Sequence, residues 1–120
     1  MVRWGIIGVG QMANIFAQAI QEIENANLIA VSSKNSKNLE TFGEQFKIDQ
    51  RLRFNSYEEI CENKQIDAIY ISTLNNSHFN LIKLCASKNK NILCEKPFCL
   101  NLNEAIEIKK ILKQNDVKFY

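Results

Sequence analysis

The chain has 120 residues, with 15 Lys and Arg against 13 Asp and Glu and a formal net charge of +2. That length fits one domain with a core of its own, and so small a charge gives no footing for nucleic acid or a membrane surface as partner. Apolar and charged fractions of 46% and 23% are those of an ordinary globular protein, and no stretch approaches the length of a membrane span.

Arg3-Trp4-Gly5-Ile6-Ile7 reads as a short apolar strand running into Gly8-Val9-Gly10-Gln11-Met12-Ala13. This is the G-x-G-x-x-G/A fingerprint, a glycine turn between a strand and a helix that cradles a dinucleotide pyrophosphate. Gly8 would make the tight turn, Gly10 would admit the phosphates, and Ala13 would let the helix pack closely. The helix that follows carries Met12, Ile15, Phe16, Ala19, Ile20 and Ile23 at helical spacing, which predicts one buried face and an end near Asn25-Ala26-Asn27.

Leu28-Ile29-Ala30-Val31-Ser32 is a continuous apolar run, as expected of a strand covered on both sides. A polar loop, Ser33-Lys34-Asn35-Ser36, precedes a helix that turns Leu39, Phe42 and Phe46 inward. Leu52-Arg53-Phe54 is a short strand, and Ser56 with Glu59 matches a capping box opening another helix. Asp67-Ala68-Ile69-Tyr70-Ile71-Ser72 is a buried strand that empties into Thr73-Leu74-Asn75-Asn76-Ser77-His78, with a helix continuing to about Lys88. Asn91-Ile92-Leu93-Cys94 is the next strand, ended by Glu95-Lys96-Pro97-Phe98 and the chain's single proline. Asn101 and Glu104 cap a last helix carrying Ala105, Ile108, Ile111 and Leu112, and Val117-Lys118-Phe119-Tyr120 begins one more strand.

Strands alternating with helices predict an α/β fold: a Rossmann-like, doubly wound parallel sheet of three layers in a single domain. The four cysteines, Cys61, Cys85, Cys94 and Cys99, form no C-x-x-C pair, and one His cannot complete a familiar zinc set, so no metal site is expected. They read as reduced thiols, with Cys85 and Cys94 filling the core. Glycines interrupt the first apolar run, which leaves no signal-peptide pattern and points to a cytoplasmic protein.

In such sheets ligands bind beyond the carboxyl ends of the strands, near the switch point. Loops beginning at Gly8, Ser33, Thr73 and Glu95 meet that rule. An NAD site usually carries an acid after the second strand, but this chain has Ser32-Ser33-Lys34. A carboxylate there would repel a 2′-phosphate, by roughly 1 kcal/mol in water and about 4 near a protein surface at 4 Å. Ser33 and Lys34 instead attract one, which predicts NADP over NAD; a solvated loop lysine is the plainer alternative. Lys96, held beside Pro97 after a buried strand, can present its ammonium to a carbonyl or alcohol oxygen. A tripeptide of this kind is more often a surface turn.

Taken together, Gly8-Val9-Gly10-Gln11-Met12-Ala13, Ser33-Lys34, Thr73-Leu74-Asn75-Asn76-Ser77-His78 and Glu95-Lys96-Pro97 fall in an order and spacing that resemble the N-terminal domain of the Gfo/Idh/MocA oxidoreductases. The Arg3-Trp4-Gly5-Ile6 opening looks most like the dihydrodiol and xylose dehydrogenase branch. The resemblance implies an NAD(P)-dependent dehydrogenase acting on a sugar- or cyclitol-like alcohol or carbonyl. It implies a cofactor-binding turn at Gly8 with backbone phosphate contacts at Gly10, Gln11 and Met12, and adenosine-ribose contacts at Ser33 and Lys34. It also implies a cofactor groove lined by Thr73, Leu74, Asn75 and His78, with Glu95 near the nicotinamide. Lys96 would be the catalytic or substrate-orienting lysine, beside a Pro97 that is often cis. His78 would touch the nicotinamide ribose or orient its loop. Leu74 stands where the family often has proline.

The family's C-terminal substrate and oligomerisation domain is absent from residues 1–120. A cofactor-binding domain inactive by itself is therefore expected, with homo-oligomers allowed. A stand-alone NADP(H)-sensing module and a degenerate domain that binds nothing are the alternatives.

Overall fold

The computed structural model describes the backbone of residues 1–120 and every side chain except that of Asn75. Five strands form one sheet: β1 (Val2–Ile7), β2 (Ala26–Ser32), β3 (Arg53–Phe54), β4 (Ala68–Ile71) and β5 (Asn91–Cys94). Their order is β3-β2-β1-β4-β5, with every neighbouring pair parallel. The chain therefore winds outward from β1 to β3 and then returns to the other side of β1. That reversal lies between β1 and β4, where the loops at the strands' carboxyl ends part to leave a crevice.

Successive residues of a strand face opposite sides of the sheet, and both sides are buried here. Ile6, Val31 and Tyr70 meet α1 (Gln11–Ile20) and α2 (Ser36–Gln45), with Ala13, Ala17, Leu39 and Phe42 completing that layer. Ile7, Ala30, Ile69, Ile71 and Ile92 meet α3 (Tyr57–Glu62), α4 (His78–Ser87) and α5 (Leu102–Asn115) on the other side. This is the expected three-layer, doubly wound α/β arrangement. The strands are rich in isoleucine, whose branched side chain suits a pleated, buried surface. Each such side chain fully removed from water is worth about 1.5–3 kcal/mol.

Several local expectations need correction. α1 ends at Ile20, earlier than Asn25, and its sheet-facing residues are Ala13, Ala17 and Ile20. Met12, Ile15 and Ile23 are about half exposed. Small alanines let the helix pack closely on the sheet over β2, and the larger side chains are displaced to its flank. Ser56 caps α3 by accepting the Glu59 N–H at 3.4 Å, but Glu59 does not reach back; the Glu58 carboxylate takes the Ser56 hydroxyl instead at 2.9 Å. At α5, Asn101 accepts the Glu104 N–H at 2.9 Å, and the Glu104 carboxylate accepts the Leu100 N–H at 2.8 Å. The chain's end lies beside β5 through one parallel bridge, Ile92 to Phe119, rather than a full strand. Cys85 is fully buried but Cys94 only partly so; Cys61 is the second fully buried thiol, 3.3 Å from that of Cys85. Among the described residues no helix is long and apolar enough to cross a membrane, and no cluster of three metal-ligating side chains occurs.

Candidate functional site

The turn after β1 is built around one backbone conformation. Gly8 has φ +97°, and a Cβ there would stand 3.0 Å from the Thr73 methyl and 3.1 Å from the Ser72 carbonyl carbon. Only glycine accepts both the dihedral and the proximity. The Gly8 N–H donates to the Ser32 carbonyl at 3.0 Å, and the Ser72 hydroxyl donates to the Gly8 carbonyl at 3.1 Å, so the turn is tied to the ends of β2 and β4. Gly10 is the extended N-cap of α1, and a Cβ there would meet nothing within 4 Å. No side chain caps the helix. Its first N–H groups thus lack helical partners and lie at the positive end of the helix dipole, a setting that favours an anion.

The loop after β2 forms the next wall. The Ser33 N–H donates to the Phe54 carbonyl at 3.0 Å, and the Ser33 hydroxyl oxygen accepts the Asn35 N–H at 3.1 Å. That hydroxyl keeps its own proton for donation. Asn35 caps α2 by accepting the Asn38 N–H at 3.0 Å. The Lys34 ammonium lies 5.1 Å from the centroid of the Tyr57 ring, at the start of α3.

The third wall follows β4. Thr73 and Ser77 hydroxyls are 2.6 Å apart, and Ser77 donates onward to the Leu74 carbonyl at 2.7 Å. Leu74 is 80% exposed and stands over the crevice, while the side chain of Asn75 lies outside the described residues. Gly8, Val9, Gly10, Ser33, Lys34, Thr73 and Leu74 line one cavity of about 600 Å³, together with Asn38, Tyr57, Asn76 and Ser77. The sequence reading named neither Tyr57 nor Asn38 as a site residue. Asn38 lies in the first turn of α2, directly after the β2 loop, whereas Tyr57 is on α3, whose approach to that loop only the tertiary fold sets.

His78 is fully buried behind this wall. One ring nitrogen lies 2.9 Å from the Thr73 carbonyl and the other 2.9 Å from the Pro97 carbonyl. Both ring nitrogens thus face backbone carbonyls; a neutral imidazole carries one N–H and donates to one of the two, contacts that suit a loop-orienting residue.

Beyond β5, Lys96 is exposed and the Lys96–Pro97 bond is cis. Glu95 turns away from the large crevice to accept the Tyr70 hydroxyl. With Met12, Ile15, Phe16, Tyr70 and Leu93 it lines a second cavity of about 250 Å³, beside α1. Tyr70 stacks on Phe16 with ring centroids 4.1 Å apart. Burial first, and then the Glu95 carboxylate, push the Tyr70 phenol well above its ordinary range. Partial burial first, and then the neighbouring Glu95 charge, push the Cys94 thiol up to about 12. Of the expected contacts, Met12 and Glu95 thus occupy a different cavity from Gly8, Gly10, Ser33, Lys34, Thr73 and Leu74. Gln11 is exposed in the first turn of α1.

Comparison with known proteins agrees with this architecture. The sequence pattern of the Gfo/Idh/MocA oxidoreductase family, NAD-binding Rossmann fold, matches residues 2–120. Trans-1,2-dihydrobenzene-1,2-diol dehydrogenase of Danio rerio is 30% identical over 118 residues, covering 97% of this chain and 35% of its own. Myo-inositol 2-dehydrogenase of Thermotoga maritima is 29% identical over 116 residues, covering 97% of this chain and 34% of its own. The crystal structure of a probable dehydrogenase from Thermotoga maritima superposes with a TM-score of 0.94 at 28% identity, over 99% of this chain and 35% of that one. The chain thus spans about a third of the length of the relatives it matches. With the fingerprint turn, the switch-point crevice and the family match in agreement, this chain belongs to the Gfo/Idh/MocA oxidoreductases as an NAD-binding Rossmann domain.

Proposed function

We propose that this chain is the cofactor domain of an NADP-preferring dehydrogenase acting on a sugar- or cyclitol-like alcohol or carbonyl. The observation that carries the reading is the uncapped start of α1, opening through Gly8 and Gly10 onto a crevice whose far wall bears Ser33 and Lys34. A diphosphate fits the free N–H groups of that helix start, and Gly10 leaves the space it needs. A 2′-phosphate would find a hydroxyl donor at Ser33 and a cation at Lys34, with no acid between them. Thr73 and Leu74 would cover the middle of the cofactor. Gln11 and Met12, in the first turn of α1, would contact the phosphates through their backbone, and Asn75 and Glu95 are assigned to the cofactor by the family resemblance alone.

When bound, a nicotinamide cofactor supplies or takes up a hydride at its C4. Lys96, exposed on a proline-bounded corner, would hydrogen-bond the reacting oxygen of the substrate and stabilise negative charge as it develops there. His78 would hold the Thr73 and Pro97 segments in register, and so hold that corner near the groove. The named relatives act on a dihydrodiol and an inositol, and the sugar-like substrate is carried over from them. Because the chain spans a third of those relatives, turnover is assigned to a longer protein that includes substrate contacts outside residues 1–120.

Calorimetric titration of the 120-residue chain tests this directly. NADPH and NADH should both bind, NADPH about fivefold or more tightly, and Lys34→Ala should abolish the difference. Equal affinities unaffected by Lys34→Ala would remove the NADP preference. No heat from either nucleotide at millimolar concentration, with the fold intact, would remove the cofactor reading altogether.

A further inference from the structure

Tyr57 belongs to no motif noted in the sequence, yet it stands on the crevice wall opposite the start of α1. We infer that Tyr57 is a specificity-determining positioning residue, whose ring holds the Lys34 ammonium where it selects adenosine nucleotides carrying a 2′-phosphate. The inference rests on the NADP preference proposed above and names the device that produces it.

The geometry has three parts. The Lys34 ammonium is 5.1 Å from the Tyr57 ring centroid, within the range in which the ring's negative face attracts a cation. Lys34 makes no ion pair among the described residues. Glu58, the next residue along from Tyr57, directs its carboxylate to the Ser56 hydroxyl. The Glu58 carboxylate and Lys34 feel one another's charge without pairing, so the ring remains the contact partner of an ammonium that is unpaired when a phosphate arrives.

The ring and the lysine are also fixed relative to one another. The Asn55 side-chain amide donates to the Ser36 hydroxyl at 3.0 Å and to the Ser33 carbonyl at 3.4 Å, and the Ser33 N–H donates to the Phe54 carbonyl at 3.0 Å. These bonds join the turn before α3 to the loop after β2. Tyr57 and Lys34 are thus carried by two segments of one hydrogen-bonded unit.

Finally, Tyr57 and Lys34 are shared by two adjoining cavities. One is the large crevice, and the other is a cavity of about 310 Å³ bounded by Glu58 and by Ser77, Asn80, Leu81 and Leu84 of the α4 side. The pair forms the rim between them. A lysine in solution samples many rotamers, and a ring that narrows them lowers the ordering cost of gripping a phosphate. The Tyr57 ring is partly buried and packs against the core beneath α3, and this burial also pushes its phenol upward.

The experiment measures the affinity ratio of 2′,5′-ADP to 5′-ADP, each titrated into the full 120-residue chain. The wild type should favour 2′,5′-ADP, and Tyr57→Phe, which keeps the ring, should retain the ratio. Tyr57→Leu should reduce it about two- to fivefold, the range expected of an exposed cation–π contact, with 5′-ADP affinity held. In a Lys34→Ala background, Tyr57→Leu should change the ratio no further. Tyr57→Met serves in the same way should the leucine variant fold poorly, and a ratio within one variant is unaffected by its folded fraction. Discrimination by the wild type that survives in Tyr57→Leu and Tyr57→Met overturns the inference and leaves the NADP preference standing. So does an equal fall with and without Lys34. A wild type that binds the two nucleotides alike overturns the preference, and the inference with it.

Discussion

His78 Nδ1 lies 2.9 Å from the carbonyl oxygen of Pro97, although 19 residues separate them. The second ring nitrogen is 2.9 Å from the Thr73 carbonyl, so one imidazole joins the loops that follow β4 and β5. His78→Phe keeps a ring but removes the N–H, leaving at least one of the two carbonyls without its donor. An acceptor left without a donor away from water costs about 1–3 kcal/mol. Urea denaturation should show a loss in that range or above, and NADH affinity should fall with it as the two loops lose register.

The two fingerprint glycines predict separable effects. Gly8→Ala meets both a positive φ and contacts at 3.0–3.1 Å, and should lower stability by more than about 1 kcal/mol. Gly10→Val adds side-chain atoms to open space at the helix start. Its melting temperature should change little, while nucleotide binding is lost. Denaturation and calorimetry on the same two variants check the contrast.

Gly43 lies inside α2 for a reason that helix propensity opposes. A Cβ there would collide with Arg53 Nε and Cδ. Arg53 cannot readily withdraw: it donates to the Ile48 carbonyl at 2.8 Å and pairs with Glu40 and Glu44 at 3.0 Å each, with a side chain 5% exposed. Alanine gains about 1 kcal/mol of helix propensity over glycine, whereas overpacking costs about 1–3. Gly43→Ala should therefore destabilise, read as a lower urea midpoint; a higher midpoint would contradict this account.

Asp67 predicts the acid behaviour. Hydrogen bonds from Arg3, at 2.8 Å from the backbone N–H and 3.0–3.1 Å from the guanidinium, hold its carboxyl at about 2, below the ordinary 3.8. The unfolded chain takes up that proton first as pH falls. The stabilisation is thus complete above the ordinary value and is lost between about 4 and about 2. Both side chains are more than a third exposed, so water screens the pair and the effect is modest. Asp67→Asn should be less stable than wild type at pH 7, and the gap should close by pH 2. Denaturation midpoints across that range check the sign.

Alternation of apolar runs with periodic segments was enough to read the parallel α/β sheet, because buried strands must be apolar on both sides and crossover helices on one. The turn at Gly8-Val9-Gly10 was legible for the same kind of reason: a positive φ and close approach to β4 leave glycine as the only choice. The capping Asn101 was legible locally, since a cap bonds within its own first turn, whereas Asn35 read only as part of a polar loop. Tertiary packing decided the rest. It assigned Ala13 and Ala17 rather than Met12 and Ile15 to the sheet, because contact distance and not hydrophobicity chooses the face. It turned Glu95 toward Tyr70, closed His78 over two carbonyls and brought Tyr57 to Lys34, contacts spanning 5 to 25 residues. Such pairings depend on where a parallel sheet aligns its strand ends, and composition and periodicity carry no record of that register.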